Sequence, residues 1–214
     1  MIRTKLFTML LLLGLISMAS TMNSASAAPV LNSGSSSGDV WDLQYRLKTH
    51  GFYTQELDGK YGAHTKSAVY GFQKEYGLSA DGITGSRTWS VLKKHSLNIN
   101  EMDIMARTIY SESRGESYTG QVAVGAVVMN RIQSNQFPNT IKGVVFEKGA
   151  FTAVDDGQYW LTPNRTAYLA ALDAVRGWDP SKNSLYYFNP DTATSAWIWT
   201  RPQNLKIGKH IFAS

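Results

Sequence analysis

The run Gly120-Gln121-Val122-Ala123-Val124-Gly125-Ala126-Val127-Val128-Met129-Asn130-Arg131-Ile132 is apolar nearly all the way round a helix. A helix of that kind has no face to give to water, so other elements must enclose it. Its apolar span from Val122 to Met129 is far too short to cross a bilayer. The run is therefore expected to be a central core helix, capped by Thr119, with Gly125 and the alanines letting a second helix approach closely.

The segment before it supplies that second helix. Asn100 as N-cap, with Asp103 at the third helical position, suits the orphan N–H groups and the positive end of the dipole, so a helix is expected from near Glu101. Met102, Met105, Ala106, Ile109 and Tyr110 fall at helical spacing on one stripe. Glu112 comes seven residues after Met105, and seven steps of about 100° bring it back to within about 20° of that direction. Its carboxyl points along the apolar stripe. Most glutamates at helix ends are solvated, but a desolvated carboxyl keeps its proton to higher pH, as a general acid requires. Glu116 repeats the phase, yet Gly115 is expected to end the helix first, leaving Glu116 a structural role.

Other chemistries lack their residues. There is no cysteine, and histidine occurs only at His50, His64, His95 and His210, with no His-x-x-x-His pair. A zinc site in the second half would be short of ligands, and a serine triad would have only His210 to draw on. No metal and no cofactor is expected. Carboxylate chemistry remains, and Asp155-Asp156-Gly157 is either a second carboxylate source or a solvated turn.

Elsewhere in this half a helix is expected from near Asn164 through Tyr168, Ala171, Leu172 and Val175 to Gly177, while Leu185–Phe188 and Ile207–Phe212 read as strands of a small sheet. Trp160, Trp178, Trp197 and Trp199, with Tyr186 and Tyr187, make it strongly aromatic. Such rings either pack in the core or stack on sugars. On an extended strand Trp197 and Trp199 would share a face, suited to lining a glycan groove.

The first half has a different organisation. Arg3 and Lys5 precede an apolar run from Leu6 to Ala19, and Ala25-Ser26-Ala27 offers small residues for cleavage, so residues 1 to 27 read as a secretory signal peptide. Its removal takes the net charge of +5 down by two, leaving 19 basic and 16 acidic residues. That mild balance suits anionic wall polymers and lacks the basic stripe of a nucleic-acid binder. Residues 28 to 38, rich in Ser, Gly and Asn, are expected to be a flexible linker. Within residues 39 to 95, Asp58-Gly59-Lys60-Tyr61-Gly62-x-x-Thr65 recurs as Asp81-Gly82-Ile83-Thr84-Gly85-x-x-Thr88. Each copy is a turn feeding a helix, and with a leading helix through Val40, Leu43, Gln44 and Leu47 this predicts a three-helix module. Phe72 and Trp89 are either its core or its ligand contacts.

Two resemblances extend these readings. Gly38-Asp39-Val40-x-x-Leu43-Gln44, Gly51-Phe52-Tyr53, the two Asp-Gly turns, Phe72-Gln73 and Thr88-Trp89 resemble the peptidoglycan-binding module of wall enzymes. Ala106-Arg107-x-Ile109-Tyr110-x-Glu112-Ser113-Arg114-Gly115-Glu116, Gly120-Gln121-Val122-Ala123-Val124, Val128-Met129-Asn130-Arg131, Phe151-Thr152-x-Val154-x-Asp156-Gly157, Tyr186-Tyr187-Phe188-Asn189-Pro190 and Gly208-Lys209-His210-Ile211-Phe212 are similar to the spore cortex-lytic enzyme and cell-wall hydrolase family.

The second resemblance implies an α+β, mainly α, lysozyme-like or lytic-transglycosylase-like catalytic domain over residues 98 to 214, with a small antiparallel sheet. It transfers the catalytic role to Glu112, with Glu116, Thr152 and Asp156 in support and Tyr187, Asn189, Trp197 and Trp199 binding substrate. It implies an exported monomer in the spore cortex or cell envelope that cleaves peptidoglycan glycan strands at germination, with room for a regulatory protein partner in the spore and no membrane span once the signal is gone. Lytic transglycosylation at muramic acid is the leading chemistry, because one strong glutamate without a convincing partner does not match the usual two-carboxylate hydrolase. A glucosaminidase or amidase using water, and a non-catalytic wall-binding protein, stay open as alternatives.

Overall fold

The computed structural model describes residues 28–214, and the expected signal peptide lies outside them. The chain is mainly helical with one small antiparallel sheet, as expected.

The first unit holds α1 (Gly38–Thr49), α2 (Ala63–Glu75) and α3 (Ser86–His95). Its core contains Val40, Leu43, Leu47, Val69, Phe72, Trp89 and Leu92. Phe72 and Trp89 are thus packing residues. The sequence repeat has a physical cause in two buried glutamines. Gln44 Nε2 donates to Asp58 Oδ1, Lys60 O and Thr65 Oγ1, while its Oε1 accepts from the Asp58 and Gly59 amides. Gln73 repeats the arrangement, donating to Asp81 Oδ1, Ile83 O and Thr88 Oγ1 and accepting from the Gly82 amide. Each glutamine satisfies one Asp-Gly turn, with Gly59 and Gly82 at φ of 67° and 68°.

The flexible linker expected over residues 28 to 38 is corrected. Leu31 is buried and exchanges backbone hydrogen bonds with Thr84, Ser36 bridges Lys60, and Pro29 O accepts from Trp89 Nε1 at 2.8 Å. Ser37 also caps α1 through the Val40 amide. Backbone pairing orders a segment whose composition offers little apolar surface.

The second unit is built around α5 (Tyr118–Gln133), in which every residue from Gly120 to Met129 is buried. Around it pack α4 (Ile99–Ser113), α6 (Ile141–Val145) and α8 (Arg165–Val175), joined by the short α7 (Thr152–Asp155) and a 3-10 turn over Gln158–Trp160. Gly125 permits close approach: a Cβ there would lie 2.9 Å from Ile109 Cδ1 on α4 and 3.0 Å from Ala174 Cβ on α8. Two helices, one on each side, exploit the small residue.

Helix starts differ from the expected ones. Asn98, not Asn100, caps α4 in a reciprocal capping box with Glu101, because Glu at the third position reaches back to the cap amide. Ser117, not Thr119, caps α5 through the Gly120 amide. Asn164 caps α8 as read, but Tyr168 is exposed and the buried face is carried by alanines 167, 170, 171 and 174.

The sheet has β1 (Tyr186–Phe188), β2 (Gln203–Ile207) and β3 (His210–Ala213) in the order β1-β3-β2, all antiparallel. Residues 207 to 212 are therefore not one strand: Gly208, at φ 58°, turns the chain between β2 and β3. Trp197 and Trp199 are not on a strand either. They lie in the one-turn helix α9 (Ala196–Trp199), so they do not share the face that alternation would give.

Arg46, 2% exposed, joins the units. It reaches Asp42 on its own helix, Ser96 O at the junction and Glu101 Oε2 at 2.9 Å, the same oxygen that closes the α4 capping box.

Candidate active site

Glu112 is in the last turn of α4, one side of which is buried through Met102, Met105, Ala106 and Ile109. Both carboxyl oxygens are held. Oε1 accepts the Ala153 amide of α7 at 2.9 Å, and Oε2 accepts the Tyr187 hydroxyl of β1 at 2.9 Å. Burial raises the Glu112 pKa above the ordinary glutamate value; the two hydrogen bonds pull it down, the nearby Asp156 charge pushes it up and Arg131 pulls it down. Burial wins. Tyr187 is pushed well above its ordinary value by burial and then by Glu112, so it is a donor at all working pH values.

The parts that place Tyr187 are on α5. Asn130 Nδ2 donates to Asp179 Oδ2, Ser181 Oγ and Ser184 O, and Arg131 Nε donates to Leu185 O at 2.7 Å. These bonds fix the chain entering β1, and the pairing of Tyr187 with Phe212 on β3 completes its support. Tyr187 also packs against Phe151 and His210.

An open cleft of about 760 Å³ runs past Glu112, lined among others by Thr152, Tyr187, Asn189 and Trp197. The structure therefore brings together five of the expected site residues. The other three are elsewhere. Asp156 is exposed and spends its carboxylate on the Gln158 amide and side chain, reaching Glu112 only through its charge. Trp199 packs edge to face on Phe188 and is not part of the cleft lining. Glu116 is on the β2–β3 turn, where its Oε2 accepts the Lys209 amide at 3.1 Å. The turn is keyed to glycine by its φ, and a Cβ at Gly208, which would fall 1.9 Å from that oxygen, would push the Glu116 carboxylate off the turn.

Among the charged and titratable cleft residues, sequence reasoning did not single out Arg131, Glu147, Lys148 or His210 as site residues. For Arg131 the signal was present, since a cation inside a helix that is otherwise enclosed must have a purpose. Glu147, Lys148 and His210 arrive from loops and a strand end with no pattern to mark them. His210 is kept below its ordinary pKa by burial, and its Nδ1 is sealed from solvent without a partner among the described residues. A second hollow, of about 660 Å³, lies at the seam of the two units between Tyr45, Asp103 and Tyr168, away from Glu112.

Comparisons with known proteins find relatives for each half of the chain. Residues 115–213 match the family described as Cell Wall Hydrolase, and residues 36–92 match the putative peptidoglycan binding domain. The chain is 45% identical to a spore cortex-lytic enzyme of Bacillus cereus, over 97% of this chain and 96% of that one. It is 36% identical to the spore cortex-lytic enzyme of Bacillus subtilis, covering 88% and 90%. Among solved structures, the catalytic domain of the Bacillus anthracis germination-specific lytic transglycosylase SleB superposes with a TM-score of 0.53 at 64% identity, covering 55% of this chain and 97% of that one. The Bacillus cereus SleB catalytic domain gives 0.51 at 66% identity, covering 54% and 90%.

Proposed function

Because this chain belongs to the spore cortex-lytic enzyme family, we propose that its cleft takes a glycan strand of cortex peptidoglycan and that Glu112 cuts the strand as a lytic transglycosylase. It is a peptidoglycan-lytic enzyme with a peptidoglycan-binding module ahead of its catalytic half. The observation that carries the mechanism is one half-buried carboxyl, with its pKa raised by burial, on the wall of an open cleft.

In the first step the Glu112 carboxyl gives its proton to the glycosidic oxygen, and the bond between that oxygen and C1 of the muramic acid residue breaks. In the second the 6-hydroxyl of the same sugar bonds to C1 and its proton passes to Glu112. No water is consumed, and the product carries a 1,6-anhydro end. The Ala153 amide and the Tyr187 hydroxyl stabilise the carboxylate between the two steps, while burial holds the Glu112 pKa above the ordinary glutamate value. Burial outweighs the two donors, so the net shift favours the acid form.

Glu147, exposed on the same cleft wall, favours a second reading in which it activates water and the enzyme is a hydrolase. Mass spectrometry of cortex digested by the purified chain separates the two. Anhydro ends support transglycosylation; reducing ends would replace it with hydrolysis; undigested glycan would remove the enzymatic reading. We also read the chain as exported, its first 27 residues cleaved, and as acting as a monomer in the cell envelope. No helix among the described residues is long and apolar enough to cross a membrane.

A further inference from the structure

Arg131 has work left over after its structural bond. The residue is 7% exposed, and Nε is occupied by Leu185 O. Its guanidinium carbon lies 5.1 Å from the ring centre of Phe137, 5.2 Å from that of Phe151 and 5.7 Å from that of Tyr186. All three rings line the cleft that Glu112 faces. Among the described residues, Nη1 and Nη2 donate to no protein acceptor, and the ion pairs are made by Arg46 and Arg107 instead. Unlike His210 Nδ1, these nitrogens are not sealed from solvent, so the aromatic collar leaves them open toward the cleft.

A buried cation with no direct ion-pair partner is costly, and the cost is offset when a ligand brings a charge into contact with it. Glu112 does not fill that role: its two oxygens take the Ala153 amide and the Tyr187 hydroxyl, and it makes no ion pair with Arg131. Glu147, exposed on the same wall, reaches Arg131 only through its charge and makes no ion pair with it among the described residues. What the free fork matches is a group with two coplanar acceptor oxygens and a negative charge.

We propose that Arg131 is a substrate-binding residue whose Nη1 and Nη2 take the two oxygens of a carboxylate carried on the lactyl substituent of the muramic acid in the cleft. This rests on the reading that the cleft takes peptidoglycan. The carboxylate has two sources with the same chemistry: the lactyl group itself where no peptide is attached, or the terminus of a short stem peptide. Fully neutral substituents lack the partner and bind less well.

The test uses the full chain carrying Glu112→Gln, which mimics the neutral acid and prevents turnover. Calorimetric titration is run with the N-acetylglucosaminyl-N-acetylmuramic acid disaccharide, with its L-alanyl derivative, and with the carboxamide of each. At least one carboxylate is expected to bind about tenfold or more tighter than its own carboxamide, as charge-assisted pairs allow. The tighter of the two carboxylates identifies the source. Adding Arg131→Met should bring carboxylate and carboxamide within about twofold of each other, and Arg131→Lys, which keeps the charge but loses the fork, should fall between.

Equal binding of each carboxylate and its amide, or a preference that survives Arg131→Met, overturns the proposal while leaving the peptidoglycan reading in place. Failure of all four glycans to bind overturns both. If Arg131→Met does not fold, the preference of the Arg131 protein and its change in Arg131→Lys decide. A residue that only propped β1 would change all four affinities together and leave their ratio alone.

Discussion

Replacing Tyr187 by Phe removes one oxygen and keeps the ring among Phe151, His210 and Phe212. What disappears is a 2.9 Å hydrogen bond to Glu112 Oε2, while the Ala153 amide still holds Oε1. A hydrogen bond to a charged group contributes about 1.5–3 kcal/mol. At about 1.4 kcal/mol per pKa unit, its loss should raise the Glu112 pKa by roughly one to two units. The lower end is expected, since the cleft is open and water can take part of the Tyr187 role. The direction follows from which form the bond favours: Tyr187 donates to the carboxylate, so removing it favours the acid. If Glu112 must be protonated to act, the alkaline limb of the pH–activity profile moves to higher pH by about one unit. The carboxylate formed after proton transfer also loses a donor, so kcat at the optimum should fall, on the order of tenfold. Initial rates on soluble cortex fragments across a pH series give both numbers. A limb that stays in place or moves to lower pH would refute the assignment of that limb to Glu112, whatever happened to the rate.

Three further outcomes are expected. Glu112→Gln should abolish cleavage, and its amide fits the site, with Oε1 taking the Ala153 amide and Nε2 turning to the Tyr187 oxygen. Because the folded-state pKa of Glu112 is raised, the native protein binds more protons than the unfolded chain between the unfolded and folded pKa values, and its stability falls as pH rises through that window. Glu112→Gln should therefore melt higher than the parent above the window and level with it below, as thermal scans at acid and alkaline pH would show; a lower Tm at both would contradict the buried-acid reading. Gly125→Leu should cost several kcal/mol or prevent folding, because its Cβ alone would already be 2.9 Å from Ile109, and urea unfolding of the variant checks this. Gln44→Leu should destabilise the first unit by about 2–3 kcal/mol by leaving the Asp58 and Gly59 amides unpaired, with loss of binding to cortex sacculi at a temperature where cleavage of short glycan persists.

Periodicity carried the sequence reading where burial is one-sided or complete. The enclosure of α5 and the stripe of α4 follow from residue type alone, and the position of Glu112 on that stripe follows from helix geometry. Local competition defeated it. Asn98 and Asn100 are equally good caps by type, and what separates them is that Glu101 reaches back to the Asn98 amide. Trp197 and Trp199 alternate like strand residues, but one turn of helix lets Trp197 meet Tyr186 and Trp199 meet Phe188, each edge to face. The segment before α1 looks like a linker because its stability comes from backbone bonds to Thr84, Tyr61 and Gly59, which composition does not encode.

Glu112 and Glu116 show why the site was only partly legible. They are four residues apart, and a continuous helix would set them on one face. The chain instead leaves the helix at Ser113, and each carboxylate then meets what long-range topology brings to it. Glu112 meets Tyr187 from β1 and an amide from α7 inside a cleft wall, while Glu116 meets the amide after Gly208 on the β2–β3 turn. That turn starts the strand carrying His210 and Phe212, both packed against Tyr187. Glu116 thus supports the strand behind the residue that donates to Glu112. The dependence runs from a sequence-local pair of acids, through two sheet strands contributed about seventy to one hundred residues later, back to one carboxyl. Spacing can nominate both glutamates, but only the return of the chain assigns one to the cleft and the other to its scaffold.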